Sequence, residues 1–439
     1  MSLILEHIEH YVNHLPYLNI DKIIGKVTKV VGLVIEATLP DATMGELCEI
    51  FKRDGSVIRA EVVGFRENKI LLMPLDETIG ISPGSKVIKS PKPLSTLVGG
   101  ELLGRVIDGF GNPIDGKGPI NTKHKVPVYN SPPGPMDRKR IKDPLTTGIK
   151  AIDSLITIGL GQRVGIFAGS GVGKSVTLGM IAKYTDAEIN VIGLIGERGR
   201  EVKEFIERDL GEQGLRRSVV IVATSDQAAM VRVKASFMAT AIAEYFRDQG
   251  KNVMLMMDSL TRFAMAQREI GLAAGEPPAT KGYTPSVFAA MPRLLERAGT
   301  SFKGTITGLY TVLVESDDMD EPISDAARSI LDGHVVLSRK LANRGHYPAI
   351  DVLESVSRLK NEVTDPEHRK TSLRILEILS NYYDSEDLIK IGAYQEGTNP
   401  KIDEAIQKID RINEFLKQGT EEAWDMKDTV EQMTALLGA

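Results

Sequence analysis

Cysteine is almost absent from this chain of 439 residues, and Cys48 is the single example. One thiol excludes an intramolecular disulfide framework and fits a reducing compartment. Long apolar runs are missing as well. No stretch approaches the roughly 20 apolar residues that a membrane-spanning helix needs. The first residues lack the basic start and apolar core of a signal peptide, so a cytosolic protein is expected. Charge of one sign is also scarce: 54 Lys and Arg stand against 59 Asp and Glu, a net −5. No whole-molecule field is available to hold a nucleic-acid backbone, which counts against a helicase. What remains is ordinary globular composition, 42% hydrophobic and 26% charged. The length exceeds what one core can serve, so several domains are expected.

The chain is organised around residues 164–180. Val164 to Ala168 reads as a short buried strand, and Val176 to Tyr184 as a helix. Between them lie Gly169, Ser170, Gly171, Val172, Gly173, Lys174 and Ser175. A strand, a glycine loop closing on Gly-Lys-Ser and a helix are the context a phosphate-binding P-loop requires. Glycines let backbone N–H groups close around phosphate oxygens, and the helix N-terminus adds favourable partial charge. Lys174 would reach the β- and γ-phosphates, and the Ser175 hydroxyl would ligate Mg²⁺. The first motif position is Ala168 rather than Gly, which the loop geometry tolerates. A nucleotide-binding protein is expected.

Taken in order, the chain opens with Ile4, Ile8, Tyr11 and Leu15 on one helical face, ended by Pro16. This helix either packs on its own domain or serves as a docking handle. His7, His10 and His14 read as solvated polar-face residues, since no Cys or carboxylate cluster completes a metal site. From 22 to 90 short β-rich runs recur: Lys22–Val31, Leu33–Thr38, Glu46–Phe51, Val57–Phe65, Lys69–Pro74 and Lys86–Ser90. Turn residues separate them, which indicates a small all-β barrel. Residues 98–145 are a Gly/Pro-rich connection whose turns lead into the next domain. Residues 146–360 alternate apolar strands (164–168, 190–195, 218–223, 253–257, 305–314) with helical runs, the pattern of a parallel sheet covered on both faces. Residues 365–439 are helical, with Ile402, Ile406, Ile409 and Leu416 expected on one face. The resulting division is 1–20, 21–95, 96–365 and 366–439.

Three candidate groups gather at the expected sheet edge. Asp258 ends the apolar run 253–258, where a Walker-B carboxylate holds the Mg²⁺ shell. Strand 190–195 leads into Gly196-Glu197-Arg198. Glu197 there could polarise a water for in-line attack on the γ-phosphate, and Arg198 could neutralise charge on the transferred group. Arg262 follows Asp258 by four residues and falls near the phosphates. Arg358 sits beyond the sheet's edge. By spacing alone it is an ordinary surface arginine.

Together these motifs resemble the catalytic subunits of the rotary-ATPase superfamily, and most closely the flagellar type III protein-export ATPases. The carriers are Leu103-Gly-Arg-Val-Ile-Asp-Gly, the P-loop, and Leu194-Ile-Gly-Glu-Arg-Gly-Arg-Glu-Val202. Others are Met257-Asp-Ser-Leu-Thr-Arg-Phe-Ala-Met-Ala-Gln-Arg-Glu269, Gly275-Glu-Pro-Pro-Ala-Thr-Lys-Gly-Tyr283, Asp332-Gly-His and His346-Tyr-Pro-Ala-Ile350. The resemblance implies a RecA-like P-loop α/β core, an N-terminal β-barrel and a C-terminal helical domain facing a ring pore. It implies ATP and Mg²⁺, bound by residues 169–176. Lys174 and Ser175 keep their roles, Glu197 becomes the water-activating base, and Arg198 and Arg262 contact the γ-phosphate region. Tyr347 matches the aromatic that stacks on adenine, and Arg358 the arginine finger supplied in trans. Base and finger in one chain suit a homohexamer. The implied partners are a regulator or stator-like protein at the N-terminal helix, export-gate and central-stalk-like proteins, and export chaperones with their substrates. No nucleic acid is implied, and membrane association would be peripheral, through the export apparatus.

The virulence-type injectisome ATPase shares nearly all these motifs, although Ile221-Val-Ala-Thr-Ser-Asp-Gln227 and Ala393-Tyr-Gln-Glu-Gly are worded like the flagellar form. A synthase β-type subunit would normally carry Thr where Ser175 stands. A Rho-like RNA helicase would need an RNA-binding N-terminal domain and a basic pore. A ring subunit that binds nucleotide without hydrolysing it would typically lack the Glu197 carboxylate.

Overall fold

A computed structural model describes residues 23–90, 93–314 and 318–438. The expected helix over 1–20, with His7, His10 and His14, lies outside them. The chain divides into two compact units. The first runs to Leu94 and includes Ile270–Glu276, and the second holds the remainder.

In the first unit, six strands form where the β-rich runs fall. They are β1 (Ile24–Val31), β2 (Val34–Thr38), β3 (Leu47–Phe51), β4 (Val57–Arg66), β5 (Lys69–Pro74) and β6 (Lys86–Lys89). They close into a barrel in the order β1-β2-β5-β4-β3-β6, antiparallel throughout. Closure leaves no free edge. Alternating residues turn inward, so Val27, Ile35, Cys48, Ile50, Ile58 and Leu72 fill the interior. At the β3–β4 turn Gly55 takes φ +83°, a left-handed conformation that glycine adopts without strain. Asp54 accepts hydrogen bonds there from the Ser56 backbone and hydroxyl.

The second unit is built on one long sheet. Its strands are β7 (Arg105–Asp108), β8 (Arg163–Ala168), β9 (Ile189–Ile195), β10 (Ser218–Ala223), β11 (Asn252–Asp258), β12 (Thr305–Leu313), β13 (Gly333–Leu337) and β14 (Ile350–Ser357). Their order is β14-β13-β8-β12-β11-β9-β10-β7. Neighbours in this order are parallel except β13 and β14, and a ninth short strand, Gly299–Thr300, pairs antiparallel with β12. Every residue of β9 and β10 is buried, as strands covered by helices on both faces must be. The connection 98–145 is more ordered than its turn signals suggest. Arg105–Asp108 inside it pairs with β10 as an edge strand of the main sheet, braced by Arg105 Nε, 2.7 Å from Asp115 Oδ2.

The helices that matter below are α1 (Lys174–Tyr184), α2 (Gly199–Glu204), α3 (Ala229–Asp248), α4 (Leu260–Ala274), α5 (Pro285–Leu295), α6 (Pro322–Ile330), α7 (Arg339–Asn343), α8 (Pro366–Lys390), α9 (Pro400–Leu416) and α10 (Met426–Ala435). The last three begin on side-chain caps: Asp365, Asn399 and Asp425 each accept from a backbone N–H of the first turn. Pro366 and Pro400 occupy the first helical position, where a missing N–H costs nothing. α9 buries Ala405, Ile409, Ile412, Phe415 and Leu416. That face is rotated from the expected one, because Ile406 is 37% exposed while Ile412 and Phe415 take the core. These helices share one hydrophobic core with the sheet, a cluster that joins Ile375, Ile378 and Ile412 to Ile166 and Ile350. Among the described residues no helix is long and apolar enough to cross a membrane.

Candidate active site

Parallel strands bring their C-terminal ends to one edge of the sheet. Leu194 of β9 lies opposite Asp258 of β11, Met257 opposite Tyr310 of β12, and Leu313 opposite Ala168 of β8. The loops leaving these tips therefore converge. The loop after β8 exposes Ser170 and Gly171, buries Val172, and turns at Gly173 (φ +92°) directly into α1. Lys174 and Ser175 open that helix, where unpaired N–H groups favour an anion.

Lys174 is the hub of the site. Its Nζ donates to Asp258 Oδ1 at 2.5 Å and to Glu197 Oε1 at 3.3 Å. Burial opposes the ammonium charge, but the Asp258 and Glu197 carboxylates outweigh it and hold its pKa above the ordinary lysine value. Asp258 is only 3% exposed and also accepts from the Thr311 hydroxyl at 2.7 Å. Glu197 is pushed up to about 7, first by burial and then by the nearby Asp258 charge, with Lys174 pulling the other way. A carboxyl tuned to that range suits general-base work near neutrality.

The backbone around Glu197 is pinned. Gly196 N–H donates to Ala223 O, and Ser225 N–H donates to Glu197 O. Gly196 has φ +75°, and a Cβ there would fall 2.7 Å from Cβ of Arg262. Glycine is thus required for Arg262 to pack across this turn. Arg262 Nε is buried and, among the described residues, has no hydrogen-bond partner. An unpaired guanidinium N–H beside the Gly196 turn suits an anionic ligand. Arg198 is placed differently from Arg262. It is exposed and pairs with Glu201 of α2 at 3.0 Å.

Tyr347 lies 173 residues beyond Lys174 in the chain, yet its ring stands 3.7 Å from where a Gly173 Cβ would be. It is 47% exposed, so one aromatic face borders the P-loop and solvent. Arg358 is not brought to this edge. It follows β14, whose Ser357 pairs with Gly333 at the start of β13, the opposite end of the sheet from Ala168. Its guanidinium donates to Arg328 O at 3.0 Å. The sequence does not mark Thr311 or Glu201 as site residues. Thr311 stands inside a correctly placed strand, but no motif spacing marks it.

The Ser175 hydroxyl and the Asp258 carboxylate are hard oxygen donors of the kind Mg²⁺ takes. Among the described residues no group of three or more His, Cys, Asp or Glu side chains could hold a metal alone.

A P-loop helix, a strand-end aspartate and a raised glutamate on a RecA-like sheet define a nucleoside-triphosphate hydrolase. Residues 148–357 match the family model described as the ATP synthase alpha/beta family, nucleotide-binding domain. Residues 27–90 match that family's beta-barrel domain, and 364–435 the T3SS EscN ATPase C-terminal domain. The chain belongs to the ATP synthase alpha/beta family of ATPases. It is 57% identical over 416 residues to a Flagellum-specific ATP synthase of Bacillus subtilis (strain 168), covering 94% of this chain and 95% of that one. It is 51% identical over 413 residues to a Type 3 secretion system ATPase of Xanthomonas euvesicatoria, covering 94% and 93%. The assembled ATPase EscN of the enteropathogenic E. coli type III secretion system matches with TM-score 0.88 and 44% identity, over 94% of this chain and all of that one. EscN in complex with its central stalk EscO matches with TM-score 0.87 and 43% identity, over 94% of this chain and 100% of that one.

Proposed function

We propose that this protein is the ATP-hydrolysing subunit of a flagellar type III export apparatus, acting as a homohexamer at its cytoplasmic face. The observation that carries the reading is the Lys174–Asp258–Glu197 cluster, in a chain so close in sequence to flagellar relatives. Loop residues 169–176 would cradle the triphosphate through backbone N–H groups, and Tyr347 would stack on the adenine. Lys174 would leave its carboxylate partners to meet the β- and γ-phosphates, an exchange of one buried anionic partner for another. Ser175 and Asp258 would hold Mg²⁺, which when bound would neutralise charge on the phosphates. Glu197, freed of Lys174, would orient the attacking water and take its proton. Arg262 would supply a cation from within the chain. Arg198 would join it at small cost, since an exposed pair such as Arg198–Glu201 is worth at most about 1 kcal/mol. Arg358, at the far end of its own sheet, would serve the site of a neighbouring copy as its finger. Through residues 1–20 the ring would dock a stator-like regulator, and through its other surfaces a central stalk, the export gate, chaperones and their cargo.

The injectisome is the second reading, favoured by the match to EscN and by the Xanthomonas relative. A bacterium lacking its own flagellar export ATPase and carrying this gene distinguishes the two. Restored export of filament protein, lost again with Lys174→Ala, is expected. Restoration of injectisome effector export alone would reverse the assignment. In vitro, phosphate release per mole should rise with protein concentration as rings assemble. A rate independent of concentration, in a particle of monomer mass, would contradict the assembled site.

A further inference from the structure

Gln418 lies two residues past the end of α9 and is 6% exposed, yet no feature of the site described so far uses it. A buried carboxamide is costly unless its donors and acceptor are satisfied. Here they are. Its Nε2 donates to Gly148 O at 2.7 Å and to Glu422 O at 2.8 Å, and its Oε1 accepts from Lys150 N–H at 2.9 Å. Its backbone N–H then donates to the carbonyl of Tyr347 at 2.9 Å. One side chain thus fastens residues 148–150 to the segment 418–422, and its own backbone carries the Tyr347 turn.

The same segment is tied to the P-loop helix. Tyr184, the last residue of α1, donates its hydroxyl to Thr420 O at 3.0 Å. Lys183 Nζ lies 3.3 Å from Glu421 Oε1. The Lys150 ammonium stands over the Trp424 ring, 5.0 Å from its centroid. The segment 418–424 therefore bridges the helix that begins at Lys174 and the turn that presents Tyr347.

We propose that Gln418 is a positioning residue for base recognition: it fixes Tyr347 relative to Gly173, so that base binding, and not phosphate binding, depends on it. The inference rests on the reading that Tyr347 stacks on the base. A merely structural residue would weaken all ligands together. A residue that positions Tyr347 weakens only ligands that carry a base.

The test uses the full chain with ATP as substrate and inorganic tripolyphosphate, which lacks a base, as competitive inhibitor. For Gln418→Ala the expected result is a KM for ATP raised about tenfold, with kcat and the tripolyphosphate inhibition constant each within about twofold of wild type. Gln418→Glu, which keeps the shape but sets a carboxylate oxygen against the Gly148 and Glu422 carbonyls, should raise KM at least as much. Equal weakening of ATP and tripolyphosphate, or an unchanged KM, overturns the proposal. Tyr347→Ala separates the two claims. If it raises KM while Gln418→Ala does not, base stacking stands and the positioning role fails; if Tyr347→Ala changes nothing, the stacking reading itself fails. Should neither Gln418 variant fold, hydrogen exchange in wild type decides. Non-hydrolysable ATP should protect the Gln418 amide more than tripolyphosphate does, and equal protection overturns the proposal.

Discussion

Lys174 and Asp258 stand 84 positions apart in the chain, yet their side chains meet at 2.5 Å, with Glu197 3.3 Å away on the same ammonium. One cation thus holds a buried and a half-buried carboxylate at the sheet edge before any phosphate arrives. Removing it leaves like charges facing each other in a poorly solvated place. For Lys174→Ala we expect no ATP turnover, together with a loss of about 3 kcal/mol of stability in the nucleotide-free protein. Turnover at the wild-type rate would refute the P-loop assignment. Unchanged denaturant unfolding would refute the charge argument.

The pH profile of kcat/KM should report Glu197 in the free enzyme. Burial and the Asp258 charge disfavour its carboxylate and hold its pKa at about 7. Only the deprotonated form can accept a proton from water. Activity should therefore climb as pH rises through about 7 and level off above it. In Glu197→Gln the climb should vanish along with the activity. A flat profile in wild type from pH 6 to 8 would place the base elsewhere.

Cys48 offers a clean reporter for the barrel. Its thiol is buried, and burial, reinforced by Glu46, pushes its pKa up to about 12. The thiolate is the reactive species, so at pH 8 the native protein should not react with a disulfide reagent. Reaction should begin only as denaturant opens the barrel. Rapid labelling of the native chain would show that the barrel opens far more readily than its closed ladder implies.

Much of this molecule is legible in its sequence, for identifiable reasons. The barrel strands and the strands of the parallel sheet appear where runs of apolar and β-branched residues meet Gly, Pro or Asp-Gly turns, because those signals are local. The edge strand Arg105–Asp108 is hidden among glycines and prolines, and only its pairing with β10 reveals it. Ile406 illustrates the limit of periodicity. Isoleucine in register with a helix face does not enter the core when Ile412 and Phe415 define a different stripe. At the site, Lys174, Glu197 and Asp258 are marked by motif and strand-end position. Tyr347 and Arg358 are marked by family likeness alone. The approach of Tyr347 to Gly173, and its tie to Gln418, depend on tertiary contacts that no spacing encodes.

The central claim is that each active site draws its base from one copy and its finger from the next. Arg358 leaves the sheet at the end opposite the P-loop, so it is not placed to serve the site of its own chain. Arg358→Ala alone should bind nucleotide yet hydrolyse at a background rate, since an arginine finger is worth at least about a thousandfold. Glu197→Gln alone should be similarly inert. The decisive measurement is ATP hydrolysis by an equimolar mixture of these two inactive variants, assembled together. Recovery of a substantial part of wild-type activity is predicted, because some interfaces then pair an intact Glu197 with an intact Arg358. No recovery from a mixture shown by mass to form rings would contradict the shared site.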